Sequence, residues 1–148
     1  MTATSTQATG TSTRSATEAL RGNCMGAAIL LIAQFAVGMG VNLYVTIPAH
    51  KSFLPAVFGS VLLAVHAVIA LGLLAAAISA VVRSVKVRRL IPLTVTGLVA
   101  IVGAAFAGSA FVGSGADGAS LAMALATAVA MACYLVAVFR LRVDEPSR

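Results

Sequence analysis

The chain has no tryptophan, only two cysteines and only four acidic residues among 148. Each shortage closes off a class of function. The thiols of Cys24 and Cys133 are too few and too far apart in sequence for a disulfide framework or a CxxC metal site. Lipidation of Cys24 would want small apolar residues before it, and Arg21, Gly22 and Asn23 stand there instead. The acids, Glu18, Asp117, Asp144 and Glu145, all fall outside the long apolar runs. Proton- and cation-coupled transporters usually hold an intramembrane acid as charge partner for the coupling ion. Carboxylate-bridged metal pairs and paired-acid catalysis need two carboxylates in one place. The runs supply none. With aromatics at 5%, the net charge of +6 lacks the stacking residues of a nucleic-acid groove, so nucleic acid is excluded as a partner.

What remains is apolar: 60% of residues are hydrophobic, 9% are charged and the mean hydropathy is +1.04. Soluble domains carry about 25% charged residues. The composition is that of a membrane protein whose first partner is the lipid bilayer. At about 20 apolar residues per crossing, four crossings and a tail use up the length. The runs predict a membrane domain over 23–141 with spans at about 24–47, 55–82, 90–112 and 119–139. Pro48 ends the first span, and Pro55 suits the first turn of the second. Arg14 and Arg21 ahead of the first span resemble the start of a signal peptide, but the run exceeds the 7 to 15 residues of a signal core and reads as a retained anchor. Residues 1–20 hold seven threonines and no apolar periodicity, so residues 1–22 are expected to form a disordered cytoplasmic tail. Residues 142–148 form a second tail. The fold expected is all-α, an antiparallel four-helix transmembrane bundle with left-handed packing, because short joints make sequential helices neighbours.

Orientation follows from Lys and Arg. Arg14 and Arg21 precede span one, Arg83, Lys86, Arg88 and Arg89 occupy the middle joint, and Arg140, Arg142 and Arg148 end the chain; only Lys51 lies on the other side. Nine against one predicts a cell-membrane protein with both termini and the middle joint cytoplasmic. The 83–89 cluster would also attract anionic headgroups weakly.

His66 is the one ionisable side chain inside a span. Counting ~1.5 Å per residue places it roughly 15 Å deep, level with Gly38, Gly103 and about Ala130. One reading is a pocket whose histidine holds haem, with Met39 near the right depth for a second ligand, or binds another small molecule. The preferred reading is a neutral histidine bonded to a neighbouring helix, with glycine giving it room, and no metal or other cofactor. Gln34, Gly38, Asn42 and Thr46 recur every fourth residue and share one face of the first helix, which points into the bundle as a polar ligand path or, preferably, as interhelical hydrogen bonds. Speculative ligand-binding residues are therefore His66, Gln34, Asn42, Gly38 and Met39. Small residues recur at Gly97, Ala100, Ala104, Ala107 or Gly108 on the third span, and at Ala122, Ala126 and Ala130 on the fourth, as seams for close helix approach. Gly113, Gly115 and Gly118 match GxGxxG, but no strand precedes them and they form a turn. Ser60, Ser79 and Ser109 have no base except His66, and no acid orients it, so no enzyme is expected. The first joint, with His50, Lys51, Phe53 and Leu54, reads as a solvated connection or a lid.

QFAVGMGVNLYVTIP at Gln34–Pro48 and HAVIALGLL at His66–Leu74 resemble small, uncharacterised four-helix integral membrane proteins of actinobacterial type. The resemblance implies the architecture and assigns no catalytic residues. By elimination, the expected role is a non-enzymatic accessory or interaction subunit, as a homo-oligomer or beside a membrane protein partner. A haem or small-ligand binder using His66 is the alternative, and a small oligomeric transporter a further one.

Overall fold

The computed structural model describes residues 5–45, 59–114 and 117–143, with side chains from Ser15 onward except those of Ser114, Asp117 and Val143. Among the described residues the regular elements are four helices: α1 Ser5–Tyr44, α2 Val61–Val87, α3 Ile91–Ser114 and α4 Asp117–Val143. Among the described residues there is no strand. Inside hydrocarbon the backbone must satisfy its own polar groups, and runs of Ala, Val, Leu and Ile do so as helices. All four are long and apolar enough to cross a membrane, α1 through its Ser15–Tyr44 part.

Paired contacts fix the directions. Asn23 Nδ2 donates to the Ala76 carbonyl at 2.9 Å toward one end of α1, and Gly40 meets Leu62 toward the other, so α1 and α2 run antiparallel. Gly97 against Tyr134 and Gly108 against Met123 do the same for α3 and α4. α1 packs on α2 and α4, and α3 packs on the same two, with no close approach across either diagonal. The result is an antiparallel four-helix bundle closed into a ring. One end of it is basic, carrying Arg83, Lys86, Arg88 and Arg89 at the α2–α3 joint and Arg140 and Arg142 on the last turn of α4.

Three boundaries differ from the sequence expectation. Helix α1 begins at Ser5, so most of the stretch expected as a disordered tail over 1–22 is helical. The reason is cooperative: a helix already nucleated by an apolar span extends at low cost even through threonine. Leu20, with no exposure, also belongs to the core cluster that contains Cys24 and Leu141. Helix α4 runs to Val143, past the expected end at 139, which is what brings Leu141 into that cluster. Helix α2 starts at Val61 rather than near Pro55, because Ser60 is extended (φ −138°, ψ 121°) and its Oγ accepts from the Leu63 N–H at 3.5 Å, the geometry of an N-cap. The first joint, including Thr46, Pro48, His50, Lys51 and Pro55, lies outside the described residues.

The α2–α3 joint is a three-residue reversal. Arg89 N–H donates to the Ser84 carbonyl at 3.0 Å and Arg88 N–H to the Val85 carbonyl at 3.2 Å, the paired bonds of a Schellman motif. The left-handed position of that motif is normally glycine, and here it is Arg88 at φ 52°; Leu90 follows at φ 58°. A buried hydroxyl pair locks the two helices below the turn: Ser84 Oγ and Thr94 Oγ1 are 2.8 Å apart, and both residues have no exposure.

Candidate functional site

The two halves of the bundle are packed differently. Toward the basic end, Leu20, Cys24, Leu31, Ala77, Tyr134 and Leu141 form one buried cluster drawn from three helices, and Ile101 adds the fourth. Gly97 makes this possible on α3, since a Cβ there would sit 2.8 Å from Cε2 of the Tyr134 ring. Toward the other end the described buried residues are Val41, Leu63 and Val112, and α4 contributes none from Gly118 to Val129.

That difference leaves a cavity of about 460 Å³ walled by all four helices. Its size follows from small residues where a core would have large ones: Gly38 on α1, Ala67 and Ala70 on α2, Ala104 and Gly108 on α3, Ser120 and Ala124 on α4. Phe35, Met39, Leu71 and Phe106 line it too, yet each remains between 46% and 73% exposed, so the cavity communicates with the surface that lipid covers. Among the described residues no Asp, Glu, Lys or Arg lines it; their polar contribution to the wall is Gln34, Asn42, His66, Ser109, Ser120 and Thr127.

His66 is the centre of that polar wall. Its imidazole lies against α1 at Gly38, where an added Cβ would come 3.0 Å from Cε1, so any larger residue there would press on the ring. Its Nε2 lies 3.0 Å from Gln34 Nε2, a hydrogen bond between α1 and α2. Three buried polar atoms have no partner among the described residues: Gln34 Oε1, His66 Nδ1 and Tyr134 OH. The first two belong to the cavity wall. Ser109 and Thr127 donate to the carbonyls of Ala105 and Met123 on their own helices, at 2.9 and 2.8 Å, which leaves their oxygen lone pairs toward other partners.

All five residues singled out from the sequence, His66, Gln34, Gly38, Asn42 and Met39, lie on the wall of this one cavity. The expected level of His66 needs correction. It sits in the second turn of α2, five residues past Val61, or about 7.5 Å along the helix. Gly38 is level with it as expected, whereas Gly103 faces outward with open space beside it and Ala130 is buried in the basic-end cluster. The late start of α2 shifted the count. Two seam residues also differ, since Ala104 borders the cavity and Ala122 is exposed.

The sequence reading missed the Ser84–Thr94 lock, the isolated Tyr134 hydroxyl and the cavity hydroxyls of Ser120 and Thr127. Ser84 and Thr94 carry a legible signal, two small hydroxyl residues symmetrically flanking a short basic joint. No group of three or more His, Cys, Asp and Glu side chains gathers to hold a metal ion among the described residues. No family model, curated protein or solved structure matches the chain.

Proposed function

We propose that this multi-pass membrane protein is non-enzymatic and binds an uncharged, lipid-soluble small molecule in the cavity between its helices. The carrying observation is the cavity of about 460 Å³, walled by all four helices and containing the His66–Gln34 pair. Ligand pockets are characteristically apolar with a few convergent polar groups, and intramembrane polar residues are functional candidates. With no charged side chain among the described lining residues, an ionised ligand finds no partner in this wall at low dielectric. In lipid nanodiscs, N-phenyl-1-naphthylamine, an uncharged dye that brightens in apolar surroundings, should show a saturable component of one dye per protein above the nanodisc background. Filling the wall with Ala124→Phe should remove that component; a purely linear, protein-independent signal would reject the reading.

The interaction-subunit reading keeps one specific support. Gly22 and Gly26 on α1 have no atom within 4 Å of where a Cβ would lie, so an outside helix has room to approach closely. A stoichiometric protein partner retained through gentle extraction, and lost on Gly26→Leu, would favour it. We place the basic end and both termini on the cytoplasmic side of the cell membrane from the nine-to-one bias in Lys and Arg. In a variant lacking Cys24 and Cys133, an impermeant thiol reagent applied outside should label Gly113→Cys and spare Lys86→Cys. The reverse pattern would invert the orientation.

A further inference from the structure

The hydrogen-bonding arithmetic of the cavity wall goes further than its apolarity. The contact of 3.0 Å between Gln34 Nε2 and His66 Nε2 admits two proton arrangements. In one, the amide N–H donates to the Nε2 lone pair, so the free groups are the Nδ1–H donor and the amide oxygen acceptor. In the other, the amide is turned over and accepts from Nε2–H, so the free groups are the Nδ1 lone pair and the amide N–H donors. Both leave at least one donor and one acceptor. These are the atoms found without a partner, Gln34 Oε1 and His66 Nδ1, on two adjacent side chains of the same wall.

We infer that the cavity ligand carries a hydroxyl group, as an uncharged lipid-soluble alcohol or phenol, and that this hydroxyl completes the Gln34–His66 pair. The inference rests on the reading of the cavity as a small-molecule site. A hydroxyl both donates and accepts, so it satisfies the pair in either proton arrangement. A ketone, ester or ether only accepts and leaves the wall's free acceptor unmatched in a medium where that is costly. A carboxylic acid in its ionised form brings a charge that no described lining residue balances. Both free atoms are covered by neighbouring groups, and the last torsion of Gln34 is a broad one, so its amide can turn toward a ligand. Phe35, Phe106 and Phe111 in the same wall suit a flat hydrocarbon body behind the hydroxyl.

The test compares two probes with one skeleton, 2-naphthol and 2-methoxynaphthalene, as displacers of the bound dye at equal concentrations in the bilayer of the nanodisc. For the wild-type chain, 2-naphthol should displace the dye at a concentration at least about tenfold lower. Gln34→Leu, checked for helix content by circular dichroism, should bring the two probes to within about twofold of each other by removing the selective partner. Equal displacement by both probes in the wild-type chain overturns the hydroxyl inference and leaves the cavity site standing. If the dye itself shows no saturable binding, the site reading fails and the inference falls with it. The wild-type comparison needs no variant to fold.

Discussion

At the scale of single residues, Gly97 and Tyr134 carry the packing of the basic end. The Tyr134 ring is fully buried and a Cβ on residue 97 would lie 2.8 Å from Cε2, closer than carbon atoms pack. A buried ring has little freedom to retreat, so Gly97→Ala should destabilise the bundle by about 1–3 kcal/mol, the usual range for overpacking. The midpoint of denaturation in mild detergent, followed by circular dichroism, reads this. Tyr134→Phe should be neutral or stabilising in the same assay, since the hydroxyl it removes has no partner. A large loss there would mean the hydroxyl is bonded. His66 belongs at this scale too. One ring nitrogen, Nε2, is occupied by Gln34, and Cε1 is pressed on Gly38. Protein purified with haem available should therefore show no Soret band that His66→Ala removes. His66→Ala should cost roughly 1–4 kcal/mol through a lost hydrogen bond and an added void. A strong Soret absorption dependent on His66 would restore the haem reading.

At the scale of elements, the α2–α3 hairpin is the best-specified joint and also a strained one. Its position was legible because the run of Arg83, Lys86, Arg88 and Arg89 interrupts two apolar spans. Its conformation was not, because the left-handed positions are filled by arginine and leucine where a reader of sequence looks for glycine. Left-handed backbone costs a residue with a Cβ about 1–2 kcal/mol, part of which glycine returns to the unfolded chain as entropy. Arg88→Gly should thus stabilise the protein by about 0.5–1 kcal/mol. Thr94→Val should act in the opposite direction, leaving Ser84 Oγ with only the Val81 carbonyl at 2.8 Å, at a cost of about 1 kcal/mol. If both variants unfold at the wild-type midpoint, the hairpin is not what holds α2 to α3. Helix α1 shows the complementary lesson. Threonine content argued for a disordered tail, and helix extension from the adjoining span together with the burial of Leu20 overrode it.

At the scale of the whole molecule, the sequence revealed the number, direction and approximate limits of the helices, because hydrophobic length and short joints leave few alternatives. It also put Gln34, Gly38, Asn42 and His66 together by helical spacing. The cavity itself was not legible. A glycine or alanine in a span serves close approach when the facing residue is large, as Gly97 does opposite Tyr134 and Gly108 opposite Met123, and leaves space when the facing residues are also small, as around Ala104 and Ala124. Only the register between helices tells the two apart, and that register depended on an α2 start hidden by a proline-flanked joint. The distinction makes the last prediction. If the far half is hollow, Ala124→Phe adds apolar volume to open space without displacing a packed neighbour. The variant should keep its helix content and unfold at the wild-type midpoint or be more stable by up to about 1 kcal/mol. If that half closes tightly in the bilayer, the same phenylalanine overpacks it, and the midpoint should fall by about 1–3 kcal/mol. Gly97→Ala supplies the internal reference for that loss, so the two substitutions together decide whether one end of this bundle is built to pack and the other to receive.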